Sequence, residues 1–386
     1  MKFILPKSIK YVLDTLIKNG HKAYIVGGCV RDLLCGKTPH DYDVATSALP
    51  HETQSLFKKT IATGLKHGTV TVMLDGRPIE VTTFRTEDTY DDNRHPENVN
   101  FVTDVRKDLS RRDFTVNAMC YNESDGLIDL FGGIDDIKNK TLRAVGDAET
   151  RFKEDALRIL RLFRFSATLE FYIEKNTFDA AIKHSNLLKN ISAERIFTEL
   201  QKTAMGNNAP IIVPLLQTNA LQGYYLEAND LSVLNALPLK QNLRVFTLLY
   251  LTSNNLPLTV ENLKCSNVFK EYCFIMSSLA THDFIDNKIS IKKALNFADY
   301  DIVYDALVYY REILNRDVSS AFKLLDEIIT QKEPYKISHL DISGNDIATS
   351  GLSGKQIGEK LNNLLQEVIK NPALNKREKL LKLISN

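Results

Sequence analysis

Ile25-Val26-Gly27-Gly28-Cys29-Val30-Arg31-Asp32, with Asp41-Tyr42-Asp43 close behind it, is the stretch on which the reading of this chain turns. Ala23 to Val26 is an apolar run of strand type, and Cys29 to Leu34 has helical spacing, so the glycine pair lies on a strand-to-helix turn. Glycines let a backbone approach a ligand, and the N–H groups that open a helix favour phosphate oxygens. Arg31 adds a charge-assisted contact to the same kind of group. Standing alone, such a turn is an ordinary connection.

The next segment changes its weight. Asp41 to Ala45 reads as a strand that follows the breaker Thr38-Pro39. Residues i and i+2 of a strand share a face, so Asp41 and Asp43 are expected to project together. Two hard oxygen ligands on a rigid edge suit Mg²⁺, which keeps waters and shares its remaining positions with phosphates. Two-metal phosphoryl transfer needs such a clamp, with ions roughly 3.5–4 Å apart. Glu80, between apolar Ile79 and Val81 on a neighbouring predicted strand, offers a third carboxylate. A carboxylate pair is commonplace in loops and helix caps; one placed about ten residues after a glycine turn is far more specific.

Together these segments resemble the polymerase-β-type nucleotidyltransferases, in the branch that holds the bacterial CCA-adding enzymes and the related poly(A) polymerases. The GGxVRD and DxDhxT signatures of that branch are matched by Gly27 to Asp32 and Asp41 to Thr46. Arg111 to Met119 is similar to its RRDFTxNAM motif, and Asp129 to Ile137 to the segment joining head and neck. The resemblance implies that Asp41, Asp43 and Glu80 are catalytic, with Mg²⁺ on the aspartates. It further implies that Gly28, Arg31 and Arg112 cradle the triphosphate, while Asp113 and Asn117 shape the sugar pocket.

Arg151 to Phe165 runs into an expected helix, Glu154 to Leu169, with Asp155, Arg158, Arg161 and Arg164 at every third position. They form a slowly rotating polar stripe on an otherwise apolar surface, and arginines so placed call for an anionic partner. The plain alternative is an Asp155–Arg158 ion pair with surface arginines, worth little. Asp155 and Arg158 also match the EDxxR motif, to which the resemblance assigns base selection; Arg161 and Arg164 match positions associated with the nucleotide. The chemistry is coherent. Cytosine and adenine each present an amino donor beside a ring-nitrogen acceptor, which a carboxylate and a guanidinium satisfy. Uracil and guanine offer the opposite polarity and leave unpaired groups.

Further along, the chain changes character near residue 145. Before it lie the predicted strands, including His67 to Leu74, Pro78 to Phe84 and Thr115 to Tyr121; beyond about residue 150 helical spacing prevails, with Leu258 to Ala280 and Ile289 to Leu314 as long helices. The expected fold is α+β: a polymerase-β-like nucleotidyltransferase head with a mixed sheet over residues 1–145, then an all-helical neck (146–210), body (211–335) and tail (336–386). Asn254 to Pro257 and Gln331 to Pro334 read as linkers. Ser343 to Asp346 and Gly354 to Gly358 resemble the tail of the bacterial enzymes, where Lys376, Arg377, Lys379 and Lys382 are candidates for tRNA phosphates.

A net charge of +1 on 386 residues means that a nucleic acid has to be held by a local basic surface. Five cysteines without a CxxC pair argue against a disulfide framework or zinc knuckle and fit a reducing cytoplasm. The sequence offers no apolar run long enough to span a membrane. His282-Asp283 lacks nearby histidines and reads as incidental rather than as a phosphohydrolase metal site. The resemblance thus implies template-independent addition and repair of the tRNA 3′ CCA from CTP and ATP, with the tRNA acceptor arm as partner and a homodimer left open. An A-adding enzyme, a poly(A) polymerase and a non-catalytic RNA-binding protein are the alternatives. Arg85 to Pro96 resembles a loop that enzymes stopping after CC lack, which disfavours a CC-adding enzyme.

Overall fold

In the computed structural model, residues 2–87, 99–281 and 287–385 are described. They form two compact units: Met1–Asp230 with Thr252–Asn254 and Asn262–Lys264, and the rest of the chain from Leu231 onward.

The first unit opens with α1 (Lys7–Lys18), β1 (Ala23–Val26), α2 (Gly28–Leu34), β2 (Asp43–Thr46) and α3 (Pro50–Leu56). β3 (Thr60–Gly64), β4 (Thr69–Leu74), β5 (Arg77–Thr83), β6 (Arg85–Glu87) and β7 (Val99–Phe101) follow, then α4 (Val105–Ser110), β8 (Met119–Asn122) and β9 (Gly126–Asp129). Seven of these strands make one sheet in the order β3-β4-β5-β2-β1-β8-β9. Only β2 and β5 run parallel within it, so the sheet is mixed as expected. β6 and β7 pair separately.

All four residues of β1 are buried because both faces of the sheet are covered. Ile25 packs with Ile9, Val12, Leu13 and Leu16 of the amphipathic α1. Tyr24 and Val26 point the other way, into Phe84, Val105 and Leu109. With its neighbours packed on both sides, β1 is a rigid base for the turn at its end.

The remaining elements of this unit are α5 (Gly133–Lys138), β10 (Thr141–Leu142), α6 (Ala148–Glu154), α7 (Leu157–Leu169), β11 (Tyr172–Ile173), α8 (Lys175–Lys183), α9 (Ala193–Ala204) and α10 (Val213–Leu216). The chain just past α9 passes close to α7 at Gly206, where an added Cβ would lie 2.5 and 2.6 Å from the Ala167 backbone.

In the second unit the helices are α11 (Gln241–Thr252), α12 (Leu256–Asn262), α13 (Asn267–Thr281), α14 (Lys288–Phe297), α15 (Tyr300–Glu312), α16 (Ser319–Thr330), α17 (Gly344–Ala348), α18 (Lys355–Lys370) and α19 (Arg377–Ser385). Phe246, Tyr250, Tyr272 and Tyr309 meet ring against ring there. A separate core near the C-terminus joins Ile342, Ile347, Leu365, Val368 and Leu380.

Several boundaries differ from the sequence reading. Asp41 precedes β2 instead of lying on it. The expected strand from Thr115 begins with a 3-10 turn over Thr115–Asn117, and the one from His67 follows another over Leu65–His67. The expected helix Glu154 to Leu169 is two helices, broken at Asp155 by an extended backbone (φ −135°, ψ 102°). Leu258 to Ala280 and Ile289 to Leu314 each divide as well, at the left-handed Lys264 and at extended Ala298. α12 begins at Leu256, within the expected linker. His282-Asp283 and residues 88–96 of the loop segment lie outside the described residues.

Candidate active site

One cleft of about 560 Å³ gathers almost every residue singled out above. Gly27, Gly28, Arg31, Asp41, Asp43, Arg112, Asp113, Asn117, Asp155, Arg158, Arg161 and Arg164 line it, joined by Arg111, Leu157, Phe165 and Arg195. All belong to the first unit.

The glycine turn is required by its geometry. Gly27 has φ +76°, and a Cβ there would come within 2.8 Å of Arg112 Nη1. The Gly27 amide donates to the Met119 carbonyl, tying the turn to β8. Arg31 is nearly buried, with Nη1 on Asn117 Oδ1 at 2.7 Å and Nε and Nη2 on Asp32.

Asp41 and Asp43 do meet in the cleft, though as a coil residue and a strand residue. Val44 pairs with Val81, so Glu80 stands level with Asp43 on the adjacent strand. It does not line the cleft wall, but its charge is felt. The Asp43 carboxyl opens to the cleft, yet the surrounding walls remove much of its water. That burial, with repulsion from Asp41 and Glu80 and against the pull of Arg112, pushes it up to about 6. A carboxylate crowded by two others is a place where a cation is welcome. Among the described residues no group of three or more His, Cys, Asp or Glu side chains is arranged to hold a metal by itself. The pair therefore fits an ion that takes its other ligands from water and phosphate.

The arginines are held by buried carboxylates. Asp108 on α4 is almost fully buried and accepts Arg111 Nε and Nη2 on one oxygen and Arg112 Nη2 on the other. Asp113 accepts Arg161 Nε and Nη2 at 2.8 and 2.6 Å, and also the Phe114 amide and Asn117. Burial alone would raise the Asp113 carboxyl, but the Arg161 charge and these hydrogen bonds bring it down to about 2. Arg164 pairs with Glu199 at 3.2 Å, while burial and the nearby Arg161 lower it to about 10. The Phe165 ring lies under Arg164 at 4.0 Å and near Arg31 and Arg161 at 5.5 and 5.3 Å, presenting a π face to three cations.

Asp155 and Arg158 are not paired with each other. Arg158 Nη1 donates to Glu154 at 2.7 Å and to the Arg151 carbonyl, and Nη2 to the Arg111 carbonyl. Asp155 Oδ1 accepts the Leu157 amide at 3.0 Å and Oδ2 accepts Arg195 at 3.4 Å. The expected single polar stripe is thus a residue at a helix break followed by three arginines on α7. The break frees Asp155 from the helical repeat and turns its carboxylate toward the cleft.

Sequence reasoning missed Arg111, Phe165 and Arg195 as cleft residues. The first two adjoin residues it selected, whereas Arg195 lies forty positions beyond Asp155 on α9. Nothing in the local sequence around Arg195 marks it as a cleft residue.

Residues 23–143 match the sequence model of the Poly A polymerase head domain, and residues 170–226 match one described as the probable RNA and SrmB-binding site of polymerase A. Over 194 residues the chain is 53% identical to a CCA-adding enzyme of Streptococcus pyogenes, covering 50% of this chain and 48% of the relative. Over 191 residues it is 54% identical to one from Streptococcus agalactiae, covering 50% and 48%. The chain spans about half the length of the curated relatives it matches. In three dimensions it is similar to the CCA-adding enzyme of Bacillus stearothermophilus in complex with CTP, with TM-score 0.84 and 28% identity over 99% of this chain and 98% of that one. The Thermotoga maritima CCA-adding enzyme complexed with tRNA shares the fold, with TM-score 0.66 and 21% identity over 99% and 96%. The sequence resemblance and the fold therefore point to the same group of proteins, and the fold is a nucleotidyltransferase head followed by helices.

Proposed function

We propose that this chain is a template-independent tRNA nucleotidyltransferase that adds and repairs the 3′-terminal CCA from CTP and ATP. The observation that carries the reading is the composition of one cleft: a crowded carboxylate pair, a glycine turn, braced arginines and a separately anchored Asp155 and Arg158. Sequence likeness to curated CCA-adding enzymes supports it, as does the likeness to a solved one that holds CTP.

In this reading the tRNA 3′-hydroxyl attacks the α-phosphate of the bound nucleotide. A new O–P bond forms, the bond between α- and β-phosphates breaks, and pyrophosphate leaves. Asp41 and Asp43, with Glu80 adding negative charge, would hold divalent ions, Mg²⁺ by the hardness of the donors. Such ions supply positive charge to an attacking hydroxyl and to departing phosphate oxygens. Arg31 and Arg112, with the Gly28 backbone, bind the triphosphate. Their counter-charges, the half-buried Asp32 and the buried Asp108, hold the guanidiniums in place before substrate arrives. Asp155 accepts from the amino group of cytosine or adenine, and Arg158 donates to the adjoining ring nitrogen. Arg161 and Arg164 complete the cationic wall.

The partners in this reading are the tRNA acceptor arm, CTP and ATP. Among the described residues no helix is long and apolar enough to cross a membrane. We place the activity in the cytoplasm, where tRNA is processed, and a homodimer remains to be tested by sedimentation.

The match to the Poly A polymerase head domain favours polyadenylation as a second reading. Both are tested by incubating the protein and Mg²⁺ with tRNA transcripts ending before CCA, after C and after CC. Two cytidines and one adenosine, then arrest, are expected. An unlimited adenosine ladder would make it a poly(A) polymerase, addition only to CC ends an A-adding enzyme, and no incorporation an RNA-binding protein. Asp43→Ala should reduce incorporation by at least about a thousandfold, within the range of effects for electrostatic stabilisation of a transition state. Turnover surviving that change would remove the aspartates from the mechanism.

A further inference from the structure

Arg195 stands in the first turn of α9, the end of a helix whose partial positive charge disfavours a cation. The packing of α9 does not call for it, since Ile196, Phe197 and Leu200 provide the buried anchors. Its guanidinium reaches instead into the cleft, where Nη2 donates to Asp155 Oδ2 at 3.4 Å. Nη1 is enclosed by protein and has no hydrogen-bond partner among the described residues. A guanidinium at the wrong end of a dipole with a buried nitrogen unsatisfied costs stability. The compensation has to be sought in what it does to Asp155.

Asp155 lies on neither a helix nor a strand, and a carboxylate rotates broadly about its last side-chain bond. The Leu157 amide fixes one oxygen from within the same turn, and Arg195 fixes the other from a different helix. Arg158 cannot do this, because Glu154 and two backbone carbonyls engage it. Without the second anchor the carboxylate plane would turn, and the distinction between a base amino group and a base carbonyl would blur.

We propose that Arg195 is the positioning residue for base selection: by holding Oδ2 it sets the plane of the Asp155 carboxylate and leaves a defined acceptor edge for the amino group of CTP or ATP. This rests on the reading of the cleft as the CTP and ATP site. A lysine can supply the charge but not the planar fork, and a glutamine supplies neither.

The test compares full-length wild type, R195Q and R195K in single-nucleotide addition to a tRNA transcript ending before CCA. CTP and UTP are each titrated. R195Q should lose at least about tenfold of the CTP-over-UTP preference in kcat/KM, carried mostly by a rise in KM for CTP, and R195K should recover part of it. A preference that is unchanged, or a fall in rate that is equal for both nucleotides, overturns the proposal. If melting curves show that R195Q does not fold, R195K decides, and its preference has to lie below that of wild type. A wild-type protein that fails to prefer CTP would remove the underlying nucleotide reading instead, whatever the variants do.

Discussion

At the scale of single residues, Asp43 gives the cleft its pH signature. Its carboxyl is raised to about 6 by burial and by Asp41 and Glu80, whereas an unfolded aspartate titrates near about 3.9. The folded state therefore holds a proton that the unfolded state has released. Any stabilisation this gives is complete below about pH 4 and is lost as pH rises through about 6. Without divalent ions, Asp43→Asn should melt close to wild type at pH 4.5 and above it at pH 7.5. Adding Mg²⁺ at pH 7.5 should raise the wild-type melting temperature and leave the variant nearly unmoved, as linkage to a ligand of the folded state requires. A constant gap across pH, with equal metal response in both proteins, would show that the carboxylates do not form the ion site. The aspartates were legible because glycine turn and carboxylate pair lie within one short stretch. Arg195, proposed above to anchor Asp155, was not, since its relation to Asp155 exists only after α9 folds against α7.

At the scale of elements, the cleft depends on how closely α7 approaches α9. Gly206, just past the end of α9, lies so near the Ala167 backbone that a methyl group would have to displace main chain. Gly206→Ala should cost about 1–3 kcal/mol in urea unfolding, the range for overpacking. Because α7 carries Arg158, Arg161 and Arg164, KM for CTP should rise as well. Gly358 on α18 is the control: a Cβ there meets nothing, so alanine should be neutral or stabilise by roughly 0.5–1 kcal/mol through helix propensity. Equal effects at both sites would mean that the α7–α9 approach is not under steric constraint. The elements themselves were mostly readable, for β1 and α1 announce their type by apolar spacing. The helix break at Asp155 was hidden, because Glu154 to Leu169 contains no proline or glycine and has unbroken helical spacing. The contacts at the break that reach across the chain are non-local: Asp155 faces Arg195 on α9, and Arg158 donates to the Arg111 carbonyl. Edge strand β3, largely exposed, carries too little apolar alternation to be seen.

At the scale of the whole molecule, a net charge of +1 gives no general attraction for RNA. In the proposed function, cationic surface outside the cleft does the holding, and the sequence offered Lys376, Arg377, Lys379 and Lys382 for it. The structure divides that set. Arg377 is engaged by Asp346 and its amide by Asp341, and Lys379 donates to the Ala373 carbonyl. Lys376 and Lys382 are exposed on the same short stretch, so they are the better candidates for phosphate contacts. Each phosphate contact contributes roughly 0.7–0.9 to the slope of log affinity against log salt. The Lys376→Gln/Lys382→Gln double variant should therefore bind tRNA more weakly at low salt, with a slope shallower by about 1.5. Its melting response to CTP and Mg²⁺ should match wild type, because the cleft lies wholly in the first unit and these lysines in the second. Filter binding over a range of KCl concentrations reads the first expectation, and thermal melts read the second. An unchanged slope would place the RNA contacts elsewhere on the helical surface. A lost CTP response would mean that the second unit bears on the nucleotide site, and base selection could then no longer be treated as a property of the first unit alone.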